Sequence, residues 1–354
     1  MSDSAFIQRS DGWLDREGAQ MNVIASSRVR LARNLPEMTF PMRAHVEDLQ
    51  AVADTVLDAM GQCEAFGRFR RLDVTRMEPL ARTFLRENHL ISAEFEKGGE
   101  SRFLAIADTL DAGIMVNEED HLRLYALGAG FCLEEVSARA FAVDDAMADC
   151  VRLAWTPEFG YLTACPTNTG TGMRASVMLH LPGLVMTQRI QSITDYVPDY
   201  GLAVRGFYGE NSDFIGDYLQ VSNEQTLGKS EEQILRDLTK VVQEIAENEL
   251  VARKFLFDHR STVVEDVIWR SFALLRNARV MNSSEASKLL SKIRLGIDRG
   301  FFPGLSHARL NKLFVEIQPG HLQYRTGQGA DNESRDTIRA QLLRKVLGNI
   351  DQRI

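Results

Sequence analysis

The strand signals of this 354-residue chain lie in its first two thirds, and this uneven distribution is the feature that most limits its possible folds. Phe103, Ala105 and Ala107 alternate with other residues, and a second apolar run follows a turn at 110–113. This pattern predicts a β-hairpin between about 102 and 118. The same reasoning predicts further strands before Pro182, at 202–208 and at 218–221.

Helical periodicity interrupts these strands and dominates the chain beyond about residue 257. A long helix is predicted to begin near Ser230, because Ser230 and Gln233 have the spacing of a capping box. We therefore expect a mixed α/β domain over 1–255 and a helical domain over 256–354. The other predicted helices cover 46–60, 133–153, 184–194, 264–275, 284–299 and 336–347.

Charge and cysteine usage exclude several classes of protein. The formal net charge is −8, which disfavours direct nucleic-acid binding and leaves a DNA-binding regulator as a weak option. No CxxC pair occurs among the four cysteines, so neither a zinc site nor a disulfide scaffold is predicted. The N-terminus lacks the pattern of a signal peptide, and no apolar run is long enough to span a membrane. A cytoplasmic protein is expected.

Three short segments carry residues suited to phosphate chemistry: 26–33 (SSRVRLAR), 117–123 (NEEDHLR) and 165–174 (CPTNTGTGMR). Arg28 and Arg30 are two residues apart, so on an extended segment they point to the same side. The paired glycines of the third segment predict a tight approach of its backbone. Guanidinium groups match phosphate oxygens, and neighbouring carboxylates can hold a cation and accept a proton from it. Taken singly, each segment is more often an edge strand, a charged turn or a loop.

Taken together, the segments resemble the signature sequences of the phosphagen kinases, which include creatine kinase and arginine kinase. The strings NEEDHLR, CPTNTGTGMRAS and RGFYGENSDFIGDYLQVSN carry the resemblance, and SSRVRLAR is similar to the first nucleotide-binding arginine pair of that family. The resemblance covers roughly residues 20 to 255, in the family's order. It implies an α+β fold whose catalytic domain is an antiparallel sheet flanked by helices.

Two departures point to one branch of that superfamily. Only some twenty residues precede SSRVRLAR, so we expect that the N-terminal helical lid of the phosphagen kinases is absent. The string RDTIRA at 335–340 is similar to the RDxxRA motif of bacterial protein arginine kinases. In that family the motif recognises phosphoarginine, which implies phosphoarginine binding and allosteric regulation through Arg335, Asp336 and Arg339. An ordinary amphipathic helix is the alternative.

The resemblance also implies roles for the acidic residues and for one cysteine. Glu119 is the leading candidate to orient the substrate guanidinium and accept its proton, with Glu118 beside it. A second carboxylate is expected at Glu210, with Asp213 as the alternative. Cys165 matches the reactive cysteine of the family and is expected near the guanidinium, without a covalent intermediate.

By the same resemblance, ATP with Mg²⁺ is the phosphoryl donor. Magnesium is expected to bridge the phosphates and keep most of its ligands as water, so no protein metal cage is predicted. The main phosphate contacts are expected from Arg28, Arg30, Arg123, Arg174 and Arg205, with His89 and Ser27 as lesser contacts. The expected nucleotide-binding segments also include Ser26, Val29, Ala175, Ser176, Val177, Met178, Gly206, Phe207, Tyr208, Gly209 and Glu210.

The expected reaction is transfer of the γ-phosphoryl group of ATP to arginine side chains of proteins, in the context of a stress response. The alternatives are a kinase for a small guanidino metabolite and a catalytically idle adaptor that binds phosphoarginine. Family resemblance implies protein substrates with exposed arginines, a zinc-binding activator protein, a heat-shock repressor as target, and a homodimer.

Overall fold

The computed structural model describes Phe6 and residues 12–206, 215–326, 331–348 and 350. Within them, eight strands form one antiparallel sheet in the order β2-β3-β4-β5-β1-β8-β10-β9, and β6 and β7 form a separate pair. In chain order the strands are β1 (Ile24–Arg33), β2 (Phe69–Asp73), β3 (Phe103–Ala107), β4 (Ala112–Val116), β5 (Leu122–Ala129), β6 (Trp155–Thr156), β7 (Gly160–Tyr161), β8 (Met173–His180), β9 (Leu202–Arg205) and β10 (Tyr218–Asn223).

Helices cover both faces of the sheet and make up the C-terminal region, so the α+β fold class expected from the sequence is confirmed. They are α1 (Val46–Gln62), α2 (Pro79–Glu87), α3 (Ala93–Glu96), α4 (Leu133–Ala148), α5 (Pro182–Met186), α6 (Ile190–Tyr196), α7 (Glu231–Asn277), α8 (Ser283–Ile297), α9 (His307–Glu316), α10 (Pro319–Thr326) and α11 (Asn332–Leu347). No helix in the described ranges is long and apolar enough to cross a membrane.

Local signals placed several of these elements correctly. The predicted hairpin is β3 and β4, paired in antiparallel register with Phe103 opposite Val116. The predicted capping box also forms, because the Ser230 hydroxyl accepts from the Gln233 amide at 3.2 Å and Gln233 Oε1 accepts from the Ser230 amide at 2.9 Å. These two features depend on residues close in sequence.

The single helix predicted over 184–194 was wrong. The segment forms two short helices, α5 and α6, because Gln188 between them adopts a left-handed backbone with φ of 58°. A left-handed residue cannot continue a right-handed helix. The helix predicted over 133–153 is also shorter than expected and ends at Ala148.

The two faces of the sheet are packed differently. One face packs against α1, α4 and the first half of α7 in the largest hydrophobic cluster. On the other face, a second cluster around α2 covers the β2–β5 end, and the C-terminal helices cover Met178 and Tyr218 at the β8–β10 end. A cavity of about 630 Å³ opens on this second face, between the two covered ends.

Helix α7 continues past residue 255, where the domain boundary was predicted, and is kinked five residues later. Its first part contributes Ile234 to Ala252 to the largest cluster, and its second part packs among the C-terminal helices from Leu256 onward. Arg260 has non-helical dihedral angles (φ −138°, ψ 28°). The division into 1–255 and 256–354 stays a prediction.

Candidate active site

Five arginines that the sequence marked as phosphate contacts line the cavity together. Arg28 and Arg30 come from β1, and the other three come from strands β5, β8 and β9. The register explains the convergence, because β1 lies between β5 and β8 and pairs Arg30 with Arg174 on one side. Residues that lie directly opposite each other on adjacent strands, and those two positions further along either strand, have their side chains on the same face of the sheet. The remaining three are Arg123, Arg174 and Arg205.

The cavity is strongly cationic. Six arginines but only two glutamates are among its described lining residues, the sixth arginine being Arg86. Burial, followed by repulsion from Arg123, lowers the pKa of Arg28 to about 10. Burial, then Arg28, Arg123 and Arg174, lowers the pKa of Arg30 well below its usual value. The positively charged arginines of this pocket repel one another, so a polyanionic ligand that neutralises them would bind favourably.

Glu118 lies behind the cavity and holds one of these arginines. Its side chain is 1% exposed, and its two oxygens accept from Arg123 Nη1 at 2.6 and 2.5 Å. The hydroxyl of Ser92 also donates to it. Although burial would raise the pKa of Glu118, Arg123 and these hydrogen bonds lower it below the ordinary value. Glu118 is therefore a permanent anion that orients Arg123.

We expect Glu118→Gln to lower the free energy of unfolding at neutral pH by about 1–3 kcal/mol, because the substitution removes the buried carboxylate that binds the partly exposed Arg123. The pKa of Glu118 is lowered in the folded state, so its contribution is complete above the unfolded-state pKa of about 4.3. The contribution disappears as pH falls through the lower folded-state pKa. Urea unfolding of both proteins from pH 7 downward measures this difference.

The control for that measurement is Glu94→Gln, since Glu94 is half exposed and pairs with Lys97 on the surface. A parent and a Glu118→Gln variant that unfold at the same urea concentration at pH 7 would contradict the assignment of Glu118 as the anchor of Arg123.

Glu119, by contrast, lines the cavity. Burial, and after it the neighbouring Asp120, raises the pKa of Glu119 above the ordinary value, although Arg123 partly opposes this. A carboxylate with a raised pKa is a better proton acceptor than an ordinary one. Adjacent glutamates thus occupy different environments, one bound to an arginine and one open to the cavity.

The turn that carries these glutamates is fixed to two other segments. Asp120 Oδ1 accepts from Asn34 Nδ2 at 2.7 Å and from the Ala164 amide at 2.7 Å. His121 Nδ1 accepts from the Leu35 amide at 3.1 Å, so its Nε2 carries the proton and donates to a backbone carbonyl. The end of β1, the glutamate turn and the loop before Cys165 are therefore held together.

Cys165 lines the same cavity, and its Sγ lies 3.0 Å from Thr167 Oγ1. The loop that follows needs its two glycines. Gly170 has φ of 114°, and a Cβ there would meet Thr226 O at 2.2 Å; Gly172 has φ of 63°, and a Cβ there would meet Ala32 O at 2.6 Å. The tight backbone approach predicted for this loop is confirmed.

Not all of the expected nucleotide residues face the cavity. Ser27 is fully buried on the opposite face, where its hydroxyl donates to Gly130 O at 2.9 Å and accepts from the Cys132 amide at 3.1 Å. Val29, Ala175 and Val177 belong to the hydrophobic cluster on that face. The expected residues whose side chains do line the cavity include Ser26, His89, Ser176 and Met178.

The loop expected to supply the second carboxylate lies largely outside the described residues. Gly206 ends the described part of this segment. Phe207, Tyr208, Gly209, Glu210 and Asp213 lie outside the described residues. The choice between Glu210 and Asp213 therefore stays a prediction.

His89 stands at the edge of the cavity in a left-handed backbone conformation with φ of 62°. Burial, followed by Arg28, Arg86 and His321, lowers its pKa to about 3. His89 is therefore neutral at physiological pH and adds no charge to the arginine cluster.

Sequence reasoning missed the part of the cavity wall that comes from outside the signature segments. Trp13 lies near the N-terminus, and Phe314 and Val315 belong to α9 of the C-terminal region. A helical pattern predicts that α9 buries an apolar face, but it does not show which surface that face meets. No local signal could have placed Phe314 here.

The expected phosphoarginine motif occupies α11. Arg339 is 2% exposed and donates to Ile317 O and Met281 O, both at 2.8 Å, and to Asp336 Oδ1 at 2.5 Å. Arg335 is partly exposed near the start of the helix and donates to Asn332. Arg339 thus ties α11 to two neighbouring segments, and Arg335 is the arginine of the motif that is open to solvent.

Two family models match the chain. One, described as "ATP:guanido phosphotransferase, C-terminal catalytic domain", matches residues 51–252. The other, described as "Protein-arginine kinase McsB C-terminal domain", matches residues 261–354. The two matches follow one another and cover most of the chain.

Individual proteins that are similar to this chain are also guanidino kinases. A protein from Shouchella clausii named "Protein-arginine kinase" is 42% identical over 350 residues, which is 98% of both chains. Among solved structures, the duplicated taurocyamine kinase of Schistosoma mansoni with transition-state-analogue components is 26% identical with a TM-score of 0.59, over 70% of this chain and 37% of that one. A lombricine kinase, at 23% identity and the same TM-score, covers 70% of each chain and supports the fold alone.

Proposed function

The chain belongs to the ATP:guanido phosphotransferase family and to its protein-arginine kinases, and on that premise we propose that it phosphorylates arginine side chains of proteins with ATP. The observation that carries the proposal is the joint presence of a raised-pKa carboxylate, Glu119, and a cluster of arginines in one cavity. The first suits a cationic acceptor, and the second suits a polyphosphate donor.

Proton removal is the difficult step on the acceptor side. A guanidinium has a pKa above about 12 and is a poor nucleophile until it loses a proton. In the proposed reaction Glu119 takes that proton while a guanidinium nitrogen bonds to the γ-phosphorus. The bond from that phosphorus to the β–γ bridging oxygen breaks, and ADP leaves with the electron pair. Products are a phosphoarginine residue, ADP and one proton.

On the donor side, Arg28, Arg30, Arg123, Arg174 and Arg205 are proposed to bind the phosphates and to stabilise the charge of the transferring group. Glu118 has an indirect role, since it keeps Arg123 ionised and in place. Asp120 likewise holds the Cys165 loop beside Glu119 through the Ala164 amide.

The residues of the cavity are compatible with a Mg²⁺ ion that is held mainly by the phosphates of the substrate. Glu119 and Glu224 line the cavity, and the described residues contain no group of three or more metal-binding side chains. Such a site suits a magnesium ion that takes phosphate and water oxygens as most of its ligands. The ion would supply additional neutralisation of the phosphate charge.

Two other functions remain as alternatives, a kinase for a small guanidino metabolite and an idle phosphoarginine adaptor. Against the adaptor, the cavity keeps Glu119, Cys165 and all five arginines in one place. Against the small-substrate kinase, the C-terminal region matches the protein-arginine kinase model over residues 261–354.

We expect the protein with Mg²⁺ and ATP to phosphorylate arginines of a folded, arginine-rich protein and to turn over free arginine at least about 100-fold more slowly. The reason is that a protein substrate makes contacts remote from the reacting guanidinium, and free arginine lacks the binding energy of those contacts. Coupled measurement of ADP release on both substrates gives the ratio. Equal turnover of free arginine and of protein would favour the small-substrate kinase.

The finer features of the function are proposals that rest on family membership. They are a cytoplasmic location, a stress response, marking of proteins for regulation or degradation, a zinc-binding activator, a heat-shock repressor as target, and a homodimer. Allosteric binding of phosphoarginine is proposed for Arg335 and Asp336. Arg339 would support that site from within, since its guanidinium is already bound to the carbonyls of Ile317 and Met281.

A further inference from the structure

The cavity has two chemically different ends along β1. At the Arg30 end lie Arg174, directly opposite in the neighbouring strand, and Glu119. At the other end, Ser26 pairs with Met178, and the neighbouring lining side chains are mostly apolar. Arg30 lies four positions after Ser26 in β1, so the two are about 13 Å apart along the strand. This length suits an extended nucleoside triphosphate.

The outer wall of the apolar end comes from the C-terminal region. Phe314 and Val315 of α9 line the cavity, and each is 4% exposed. The ring of Tyr218 lies edge-on to that of Phe314, with centroids 5.0 Å apart. Ala25, Met178 and Tyr218 belong to the same hydrophobic cluster as the C-terminal helices. The wall is therefore continuous with the core of the C-terminal region.

A buried contact fastens this wall to the other side of the cavity. Glu87, at the end of α2, accepts from the Gly320 amide at 2.9 Å, from the His321 amide at 2.8 Å and from His321 Nδ1 at 2.8 Å. The ring of His321 stacks on Phe84 with centroids 4.1 Å apart. Because α10 follows α9 after two residues, this contact also fixes the position of α9.

We propose that the nucleobase of ATP binds at this apolar end against Phe314, so that the C-terminal helical region completes the nucleotide site. The inference rests on the proposed function, because it takes ATP as the ligand of the arginine cluster. A planar base gains contact energy on an aromatic ring, while the phosphates extend along β1 toward Arg30 and Glu119. Phe314 is then a binding residue for the base and takes no part in proton transfer.

The test compares ATP with inorganic tripolyphosphate, which has the phosphates but no base. Titration calorimetry on the full chain measures the dissociation constants of both. We expect Phe314→Leu to weaken ATP binding about tenfold, which corresponds to about 1.4 kcal/mol, and to leave tripolyphosphate binding unchanged. Val315→Ala is a second, milder variant of the same wall, with an expected loss of about threefold for ATP only.

Phe302→Leu is the matched control. Phe302 is 2% exposed and stacks on Phe272 in the same hydrophobic cluster, but it does not line the cavity. This variant should bind both ligands like the parent. Unchanged ATP binding by Phe314→Leu and Val315→Ala, or equal weakening of ATP and tripolyphosphate, would overturn the inference while leaving the kinase proposal intact. A parent that binds neither ligand would overturn both.

Discussion

Glu119→Gln is expected to lower kcat for arginine phosphorylation by about 10²–10⁴-fold while ATP binding stays close to that of the parent. The magnitude is the usual contribution of a positioned general base. Gln keeps the shape of Glu119 but cannot accept the proton. Burial and Asp120 raise the pKa of Glu119, so the rate of the parent should rise with pH as this carboxyl ionises. The variant should lack that ionisation in its pH profile.

Glu94→Gln is again a suitable control, because Glu94 is exposed, lies outside the cavity and should be replaceable without loss of kcat. Single-turnover rates across pH, with ATP affinity measured separately, distinguish a lost base from a lost nucleotide site. A Glu119→Gln variant with parental kcat would contradict the mechanism.

Arg30→Met and Arg33→Met are expected to change stability in opposite directions, although both residues lie in β1. Without nucleotide, Arg30→Met should raise the free energy of unfolding by about 1–2 kcal/mol, because it removes one of several neighbouring, partly buried cations that repel one another. The same variant should lose about 10³-fold in kcat/KM, which is typical when an arginine that binds the transferring phosphoryl group is removed.

Arg33 has the opposite environment. Its side chain is 2% exposed, pairs with Asp144 at 2.6 Å and lies 3.5 Å over the ring of Tyr161. Arg33→Met leaves Asp144 buried without its partner and should cost about 3–5 kcal/mol. Urea unfolding of both variants without nucleotide measures the contrast. Destabilisation of similar size in both would mean that Arg30 is a structural residue like Arg33.

The features of this site that could be predicted depend on residues that are close together in the sequence. The spacing of Arg28 and Arg30 predicted a common side, and both line the cavity. The paired glycines predicted a close backbone approach, and Gly170 and Gly172 have it. In each case the decisive geometry is set within a few residues of the chain.

Other features of the site depend on contacts between residues far apart in the chain, and these contacts cannot be predicted from the pattern of a single sequence. Arg30 meets Arg174 only because β1 lies beside β8. Glu119 was the leading candidate for the base, with Glu118 beside it, and only the fold shows that Glu118 binds Arg123 while Glu119 faces the cavity. Phe314 is a comparable case, since its position depends on how the C-terminal helices pack on the sheet.

The RDxxRA segment shows a related limit. The resemblance implied three ligand-binding residues, but Arg339 is buried and bound to two backbone carbonyls. A motif shows which side chains occur together, whereas burial decides which of them can reach a ligand. Arg335 and Asp336 are the residues of the motif that remain partly exposed.

The central claim is phosphoryl transfer from ATP to arginine side chains with Glu119 as the base. The most direct measurement is mass spectrometry, under conditions that preserve acid-labile phosphate, of a protein substrate treated with Mg²⁺, ATP and either the parent or Glu119→Gln. We predict phosphate on arginine nitrogen with the parent, its loss on acid treatment, and almost none with the variant. Phosphate confined to serine or threonine, or equal phosphoarginine from both proteins, would contradict the account.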